Sequence, residues 1–198
     1  MGRRVELLEE MAASRRENTL TYACDISEMD EFDRALEAMT GELGSLDIAI
    51  LCVGIGELNP VLDASAEIET ARVNVDGWTN AAVGLYRLFE RQGWGQLVTV
   101  TSVGGLMSAA MAPAYSASKA YQINYTKALQ RKSNGTGVVV TEIRPGLVDT
   151  RMAKGDGLFW VMPVDKVASQ IVKAIARRRR LAVVSRRWRL ANYILRHI

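Results

Sequence analysis

The apolar positions of this chain alternate between consecutive runs and helical spacings. TLTYAC (19–24), DIAILCVG (47–54), QLVTVTS (96–102), VVVTEI (138–143) and LAVVS (181–185) read as strands. The unbroken apolar character of DIAILCVG and QLVTVTS predicts strands buried on both faces. Between these runs, Val5, Leu8 and Ala12 mark a short helix ending near Asn18. Met29, Phe32, Leu36, Met39 and Leu43, spaced three and four apart, mark a second helix, with Ser27 and Asp30 as a capping box at its start. A long helix from Ser65 to about Arg91 carries Ile68, Ala71, Val75, Trp78, Ala82, Leu85 and Phe89 on one face. Pro113 opens the next, at a position where its missing N–H costs nothing, and that helix stops around Ser133-Asn134-Gly135. Pro145-Gly146 halts the fourth strand, and a further helix runs from Pro163 to about Arg178. Strands alternating with helices predict an α/β fold built on a mostly parallel sheet. With no internal repeat, linker or low-complexity stretch, the pattern predicts one domain over 1–184 and a short helix over 185–198.

Composition narrows the picture. The chain has 198 residues, 48% hydrophobic and 24% charged, enough for a single good core. Its longest apolar stretch, Ile48 to Gly56, is too short to span a bilayer. The start, MGRRVELLEE, lacks the apolar region of a signal peptide, and Glu6 departs from the myristoylation pattern. Cys24 and Cys52 lie in apolar runs without CxxC spacing, which predicts buried free thiols in a reducing, cytoplasmic setting. The single His, His197, sits beside the C-terminus, which argues against a His-based metal site or a Ser-His-Asp hydrolase. No metal ligand set is expected.

Charge is unevenly placed. Residues 166–198 hold ten of the 25 basic residues and no acidic one, leaving 15 basic against 22 acidic residues before them. In the basic tail RRWRLANYILRHI, Trp188, Ala191, Leu195 and Ile198 recur at helical spacing beside Arg186, Arg187, Arg189 and Arg196. Such a helix can pack over the substrate cleft, join a second subunit in a homo-oligomer, or lie on an anionic membrane surface, which would make the protein membrane-associated. Nucleic acid is not expected as a partner. Phe159, Trp160 and Met162 form an apolar cluster that suits either a lid over an apolar substrate or a hydrophobic clamp on the sheet.

The chemistry is concentrated in TSVGGLMSAAMAPAYSASK (101–119). Ser102 ends a parallel strand, where α/β sheets place their ligands. Tyr115 and Lys119 stand four apart near the start of a helix and so share a face. A free Tyr has a pKa near 10, too high for a base at neutral pH, and a neighbouring ammonium is expected to lower it. A Ser hydroxyl opposite the phenol can orient a substrate carbonyl or hydroxyl. The small residues between them are expected to let that substrate approach closely. These residue types support proton transfer to or from an oxygen with no nucleophile.

From Gly2 to about Val184, the arrangement resembles the short-chain dehydrogenase/reductase family. Ser102, Tyr115 and Lys119 match its catalytic signature, and Asn74 in RVNVDG matches its fourth catalytic member. The resemblance implies a Rossmann-like, doubly wound parallel sheet. It also implies hydride exchange between a nicotinamide cofactor and a small-molecule carbonyl or alcohol substrate. Tyr115 would act as general acid/base, Lys119 would tune it and bind the nicotinamide ribose, and Asn74 would hold a water linking Lys119 to solvent. Cofactor contacts fall by resemblance on Asp25 and Ile26 in CDIS and on Gly54. They fall likewise on Pro145, Gly146, Val148 and Thr150 in RPGLVDT. Arg3 in GRR takes the place of the Arg that selects the 2′-phosphate, so NADP(H) is expected ahead of NAD(H).

Two departures qualify the match. The family's Asn-Asn-Ala-Gly stands here as Leu51-Cys52-Val53-Gly54, keeping only the glycine. The family's opening strand, Gly-rich turn, helix and second strand have no counterpart, which predicts an N-terminally truncated fold with an internal start at Met1. In the family's strand order, 3-2-1-4-5-6-7, that would leave TLTYAC unpaired and DIAILCV with a free apolar edge. A non-catalytic remnant acting through its surfaces is therefore the alternative function.

Overall fold

A computed structural model describes residues 1–14, 18–150, 152–153 and 158–195, with the side chains of Arg186, Ile194 and Leu195 excepted. Four strands form one parallel sheet in sequential order: β1 (Ile48–Leu51), β2 (Gly95–Val100), β3 (Val138–Pro145) and β4 (Leu181–Val184). Parallel neighbours require crossovers, and helices supply them. The first crossover is α3 (Ala64–Ala71), a π-helical segment (Arg72–Gly77) and α4 (Trp78–Gln92); the second is α5 (Pro113–Lys132); the third is α6 (Val164–Ala176). Two helices, α1 (Val5–Ser14) and α2 (Met29–Leu43), precede the sheet, and α7 (Arg186–Leu195) follows it.

Strand alternation decides which face each helix covers. Leu97 and Val140, paired in register, pack with Phe32 and Leu36 of α2, Trp78 and Phe89 of α4, and Leu129 of α5. Val98 and Ile143 point the other way, onto Val167, Ala174 and Ile175 of α6. The result is a three-layer α/β/α sandwich, as the alternation predicts for β2 and β3.

β1 departs from the expectation of burial on both faces. Ala49 and Leu51 are buried against the α4 side, but Ile48 and Ile50 are 46% and 53% exposed. Among the described residues, α6 packs on β3 and β4 and no helix covers this face of β1. Cys52 continues the outward parity and is exposed, contrary to expectation, while Cys24 is buried as expected. TLTYAC is not a sheet strand either. It is an extended segment joined to Gly2 by one parallel bridge at Ala23, through Gly2 N–H to Tyr22 O (3.1 Å) and Cys24 N–H to Gly2 O (3.1 Å). The capping box at Ser27 is absent as well. Asp25 accepts from the Ser27 amide and hydroxyl, and α2 begins two residues later after Glu28, without a side-chain cap.

The helix expected over Ser65 to Arg91 is interrupted by the π-helical segment, which carries Asn74. Such turns insert a residue into the ladder and mark functional positions in many helices. Its start is capped by Asp63, which accepts from Ala66 N–H (3.0 Å), and its end by Gly93 in the left-handed region (φ 81°).

The C-terminal tail forms α7 as expected. Trp188 is buried, stacked on Phe159 with centroids 5.5 Å apart and edge-on to Trp160 at 5.7 Å. Its Nε1–H donates to Trp160 O (3.2 Å). Met162 pairs its backbone with Val148. Packing on the chain's own body therefore accounts for Trp188 and Ala191, and for the aromatic cluster as a clamp. The tail positions Arg196, His197 and Ile198, and the Arg186 and Leu195 side chains, lie outside the described residues. No helix among the described residues is long and apolar enough to cross a membrane.

Candidate active site

The site forms where β2 ends against the start of α5. Beyond Val100 the chain turns into a 3-10 helix, Val103–Leu106, capped by Ser102, whose Oγ accepts from Gly104 N–H (3.0 Å). This short helix lies flat on α5. A Cβ on Gly105 would come within 2.5 Å of the Lys119 carbonyl carbon and 2.7 Å of the Ala120 nitrogen. Gly105 is thus needed for backbone-to-backbone packing, a role apart from the substrate approach expected of the small residues here. Gly105→Ala is expected to cost about 1–3 kcal/mol in urea unfolding, because main chain cannot yield as a side chain can. A loss within error would mean that the two segments slide apart freely.

Packing of these two segments brings Ser102 close enough to Tyr115 for its hydroxyl to act on the phenol. Pro113 opens α5, placing Tyr115 in its first turn and Lys119 one turn further on the same face. Lys119 Nζ stands 5.9 Å from the Tyr115 ring centroid. The ammonium donates to Gln122 Oε1 (2.8 Å) and more weakly to Val100 O (3.4 Å). A Cβ on Gly54 would stand 3.0 Å from Lys119 Nζ and 3.5 Å from Asn74 Oδ1, so Gly54 borders both.

Asn74 is fully buried and its side chain is fully used. Its Oδ1 accepts from Ile55 N–H (2.8 Å), and its Nδ2 donates to Ile55 O (2.7 Å) and Ser118 Oγ (3.0 Å). This two-way pairing fixes the loop after β1 beside the lysine. Its backbone carbonyl accepts from Gln122 Nε2 (2.9 Å). The link from Asn74 to Lys119 thus runs through a side-chain amide.

Electrostatics differ from expectation at the phenol. Burial raises the Tyr115 pKa above its ordinary 10.0, and the Ser102 hydroxyl only partly opposes it. Nearby Lys119 does not reverse that direction. Burial lowers the Lys119 pKa from 10.5 to about 8, with the Cys52 thiolate side of its surroundings opposing. A lysine depressed in the folded state makes the fold less stable wherever the unfolded chain holds the extra proton. Stability therefore rises with pH from about 8 towards 10.5 and carries the full penalty below 8. Lys119→Met is expected to flatten this slope and to add on the order of 3 kcal/mol at neutral pH. Urea titrations at neutral and alkaline pH read both; a parallel pH slope in the two proteins would refute the assignment.

The remaining expected cofactor residues fall in two groups. Pro145 is the last residue of β3 and Gly146 follows it, with Gly146 N–H bonded to Val184 O (3.0 Å). The indole of Trp188 covers Gly146, where a Cβ would come within 2.2 Å of the ring. Val148 lies in its bridge to Met162, and Thr150 is exposed. Arg3 and Asp25 form an ion pair at 3.5 Å beside the buried Ile26. Burial pushes the Asp25 carboxyl up, but the Ser27 hydroxyl and amide and the Arg3 guanidinium together bring it below its ordinary value. Arg3 and Asp25 line a cavity of about 660 Å³ together with Tyr22, Cys24, Glu31 and Arg34. That cavity contains none of Asn74, Ser102, Tyr115 or Lys119. Among the described residues no cluster of side chains suits a metal ion.

Two residues of the site escaped the sequence: Gln122, and Ser118, which holds Asn74 while donating to Tyr115 O (2.8 Å). Their signal was a polar stripe, Ser118, Lys119, Gln122 and Thr126, at helical spacing on a buried face of α5.

The fold and this cluster define an oxidoreductase class. The sequence profile of the short chain dehydrogenase family matches residues 1–157, and the chain belongs to that family. An acetoacetyl-CoA reductase of Allochromatium vinosum is 26% identical over 160 residues, 80% of this chain and 62% of that protein. A short chain dehydrogenase/reductase from Burkholderia phymatum, solved in complex with NAD, superposes with a TM-score of 0.84 at 19% identity, over 98% of this chain and 82% of that one. The NADPH-dependent 3-quinuclidinone reductase from Rhodotorula rubra does so with a TM-score of 0.66 at 29% identity, over 77% of this chain and 59% of that one. The matched stretch thus spans between about three-fifths and four-fifths of the length of these proteins.

Proposed function

We propose that the chain is an NAD(P)-dependent oxidoreductase that exchanges hydride between a nicotinamide and a small carbonyl or alcohol substrate. The observation that carries this reading is the convergence of Ser102, Tyr115 and Lys119. A phenol ring beside a serine hydroxyl has its centroid 5.9 Å from a buried ammonium. No hydrolytic or nucleophilic function explains that set.

The residues present fit the cofactor at its nicotinamide end. Gly54 lacks the Cβ that would crowd Lys119 Nζ at 3.0 Å, and Lys119 retains donor capacity for ribose hydroxyls. The bound nicotinamide would supply the hydride. Tyr115, protonated at neutral pH, would give its proton to the substrate oxygen, and Ser102 would orient that oxygen beside the phenol. Lys119 would stabilise the phenolate left behind. The raised phenol pKa favours the direction of carbonyl reduction. At the other end, Asp25 and Ile26 would take the adenine and Arg3 the 2′-phosphate. Arg3 is half exposed and its ion pair with Asp25 is long, at 3.5 Å, so it is available to a stronger anion. NADP(H) is therefore our preferred cofactor.

The test is direct. Equilibrium binding of NADPH and NADH is compared for the native chain and Arg3→Ala, followed by NADPH consumption with acetoacetyl-CoA and other small ketones. NADPH is expected to bind more tightly, with Arg3→Ala removing the difference. Failure to bind either nucleotide would overturn the proposal and leave the surface-acting alternative.

A further inference from the structure

We propose that Gln122 is a positioning residue for Lys119, holding the ammonium beside Tyr115 with its side-chain oxygen and anchoring it to the backbone of Asn74 with its amide. This rests on the oxidoreductase reading above and adds to it a residue outside the Ser-Tyr-Lys-Asn set.

The π-helical segment creates the acceptor. In a regular helix Trp78 N–H would bond to Asn74 O, four residues back. Here it bonds to the carbonyls of Val73 and Val75, passing over Asn74. The Asn74 carbonyl is buried and needs a donor from elsewhere. Gln122, fully buried on the facing helix, supplies it at 2.9 Å. The orientation of the amide follows from chemistry. Lys119 has donors only, so the oxygen of Gln122 must face it and the NH2 must face the carbonyl. The oxygen is 2.8 Å from Nζ, and Gln122 stands three residues after Lys119 on one helix face.

A neutral acceptor suits this position. Among the described residues no carboxylate forms an ion pair with Lys119. The titratable groups facing it are Tyr115 from α5 and Cys52 from the loop after β1. The segment carrying Asn74 and the end of β2 offer only neutral groups, the Asn74 amide and the Val100 carbonyl. Gln122 therefore favours the charged lysine without adding a negative charge that would oppose a phenolate on Tyr115.

The experiment titrates the Lys119 side chain by NMR in selectively labelled protein, with the signal identified by its loss in Lys119→Arg. The same proteins are followed through the pH dependence of kcat with NADPH and acetoacetyl-CoA. In Gln122→Leu the Lys119 titration and the alkaline limb of kcat are expected to move about one unit to lower pH, so that kcat on that limb falls about tenfold. The substrate KM is expected to stay nearly constant. In Gln122→Glu, which keeps the size and an acceptor, the titration and the alkaline limb of kcat are expected to move to higher pH. Folded variants whose Lys119 titrates as in the native protein would overturn the proposal. The NMR arm needs no turnover, so a chain without reductase activity would sink the functional reading while this inference is still decided.

Discussion

Tyr115→Phe is expected to lower kcat by at least about 100-fold, the lower end of what a positioned acid or base contributes, while nucleotide binding and unfolding remain near native. The substitution removes only the hydroxyl. The neighbouring Ser102 Oγ accepts from Gly104 N–H at 3.0 Å, so the serine is not stranded. The ring still packs beside Lys119. What is lost is the proton donor. Because burial raises the pKa of the phenol, the native protein holds that proton throughout the neutral range. Carbonyl reduction should accordingly be flat with pH until Lys119 loses its charge near 8, whereas alcohol oxidation should improve as the pH rises. Stopped NADPH consumption in Tyr115→Phe with unchanged NADPH affinity supports the assignment. A variant with more than half the native kcat would remove Tyr115 from the chemistry, and the role of Lys119 with it.

Legibility of the sequence followed the range of the forces involved. β2, β3 and α5 read correctly because their apolar or helical patterns are local and their neighbours on both sides are present. β1 has the same apolar run, yet Ile48 and Ile50 remain exposed, since burial depends on whether a helix reaches that face. TLTYAC shows the same limit: β-propensity makes a segment extended, but only a partner makes it a strand, and here the partner is a single residue, Gly2. Ser102, Tyr115 and Lys119 stood out by their spacing, and Asn74 only through the family resemblance. The reason that spacing works was not legible. Gly105 reads as a small residue near a site, and only the contact with the Lys119 backbone shows it as the hinge point of packing. Gln122 reads as one more polar residue on a helix, because its two partners are assembled by a π turn that no periodicity announces.

The most costly single loss of stability away from the reacting groups is expected at Glu142 and Arg144, near the end of β3. Side chains two apart on a strand share a face, and this pair is almost completely buried, with Arg144 Nε and NH2 donating to Glu142 Oε1 at 2.9 and 2.7 Å. Thr101 Oγ1 donates to the same oxygen at 2.8 Å, and Arg144 NH1 donates to Asn192 Oδ1 at 2.6 Å. The network thus ties β3 to the residue before Ser102 on one side and to α7, which carries Trp188 over Gly146, on the other. Glu142→Ala leaves a guanidinium without its counter-charge inside the protein, and a loss of about 3–5 kcal/mol is expected in urea unfolding. Glu142→Leu combined with Arg144→Met removes both charges and should recover most of that loss, short of the penalty for the unpaired Asn192 amide. Because α7 is held through Arg144, tryptophan emission should shift towards that of exposed indole in Glu142→Ala before global unfolding and remain near native in the double variant. A cost below about 1 kcal/mol, the range of an exposed pair, would mean that water reaches this network and that α7 is anchored by its aromatic contacts alone.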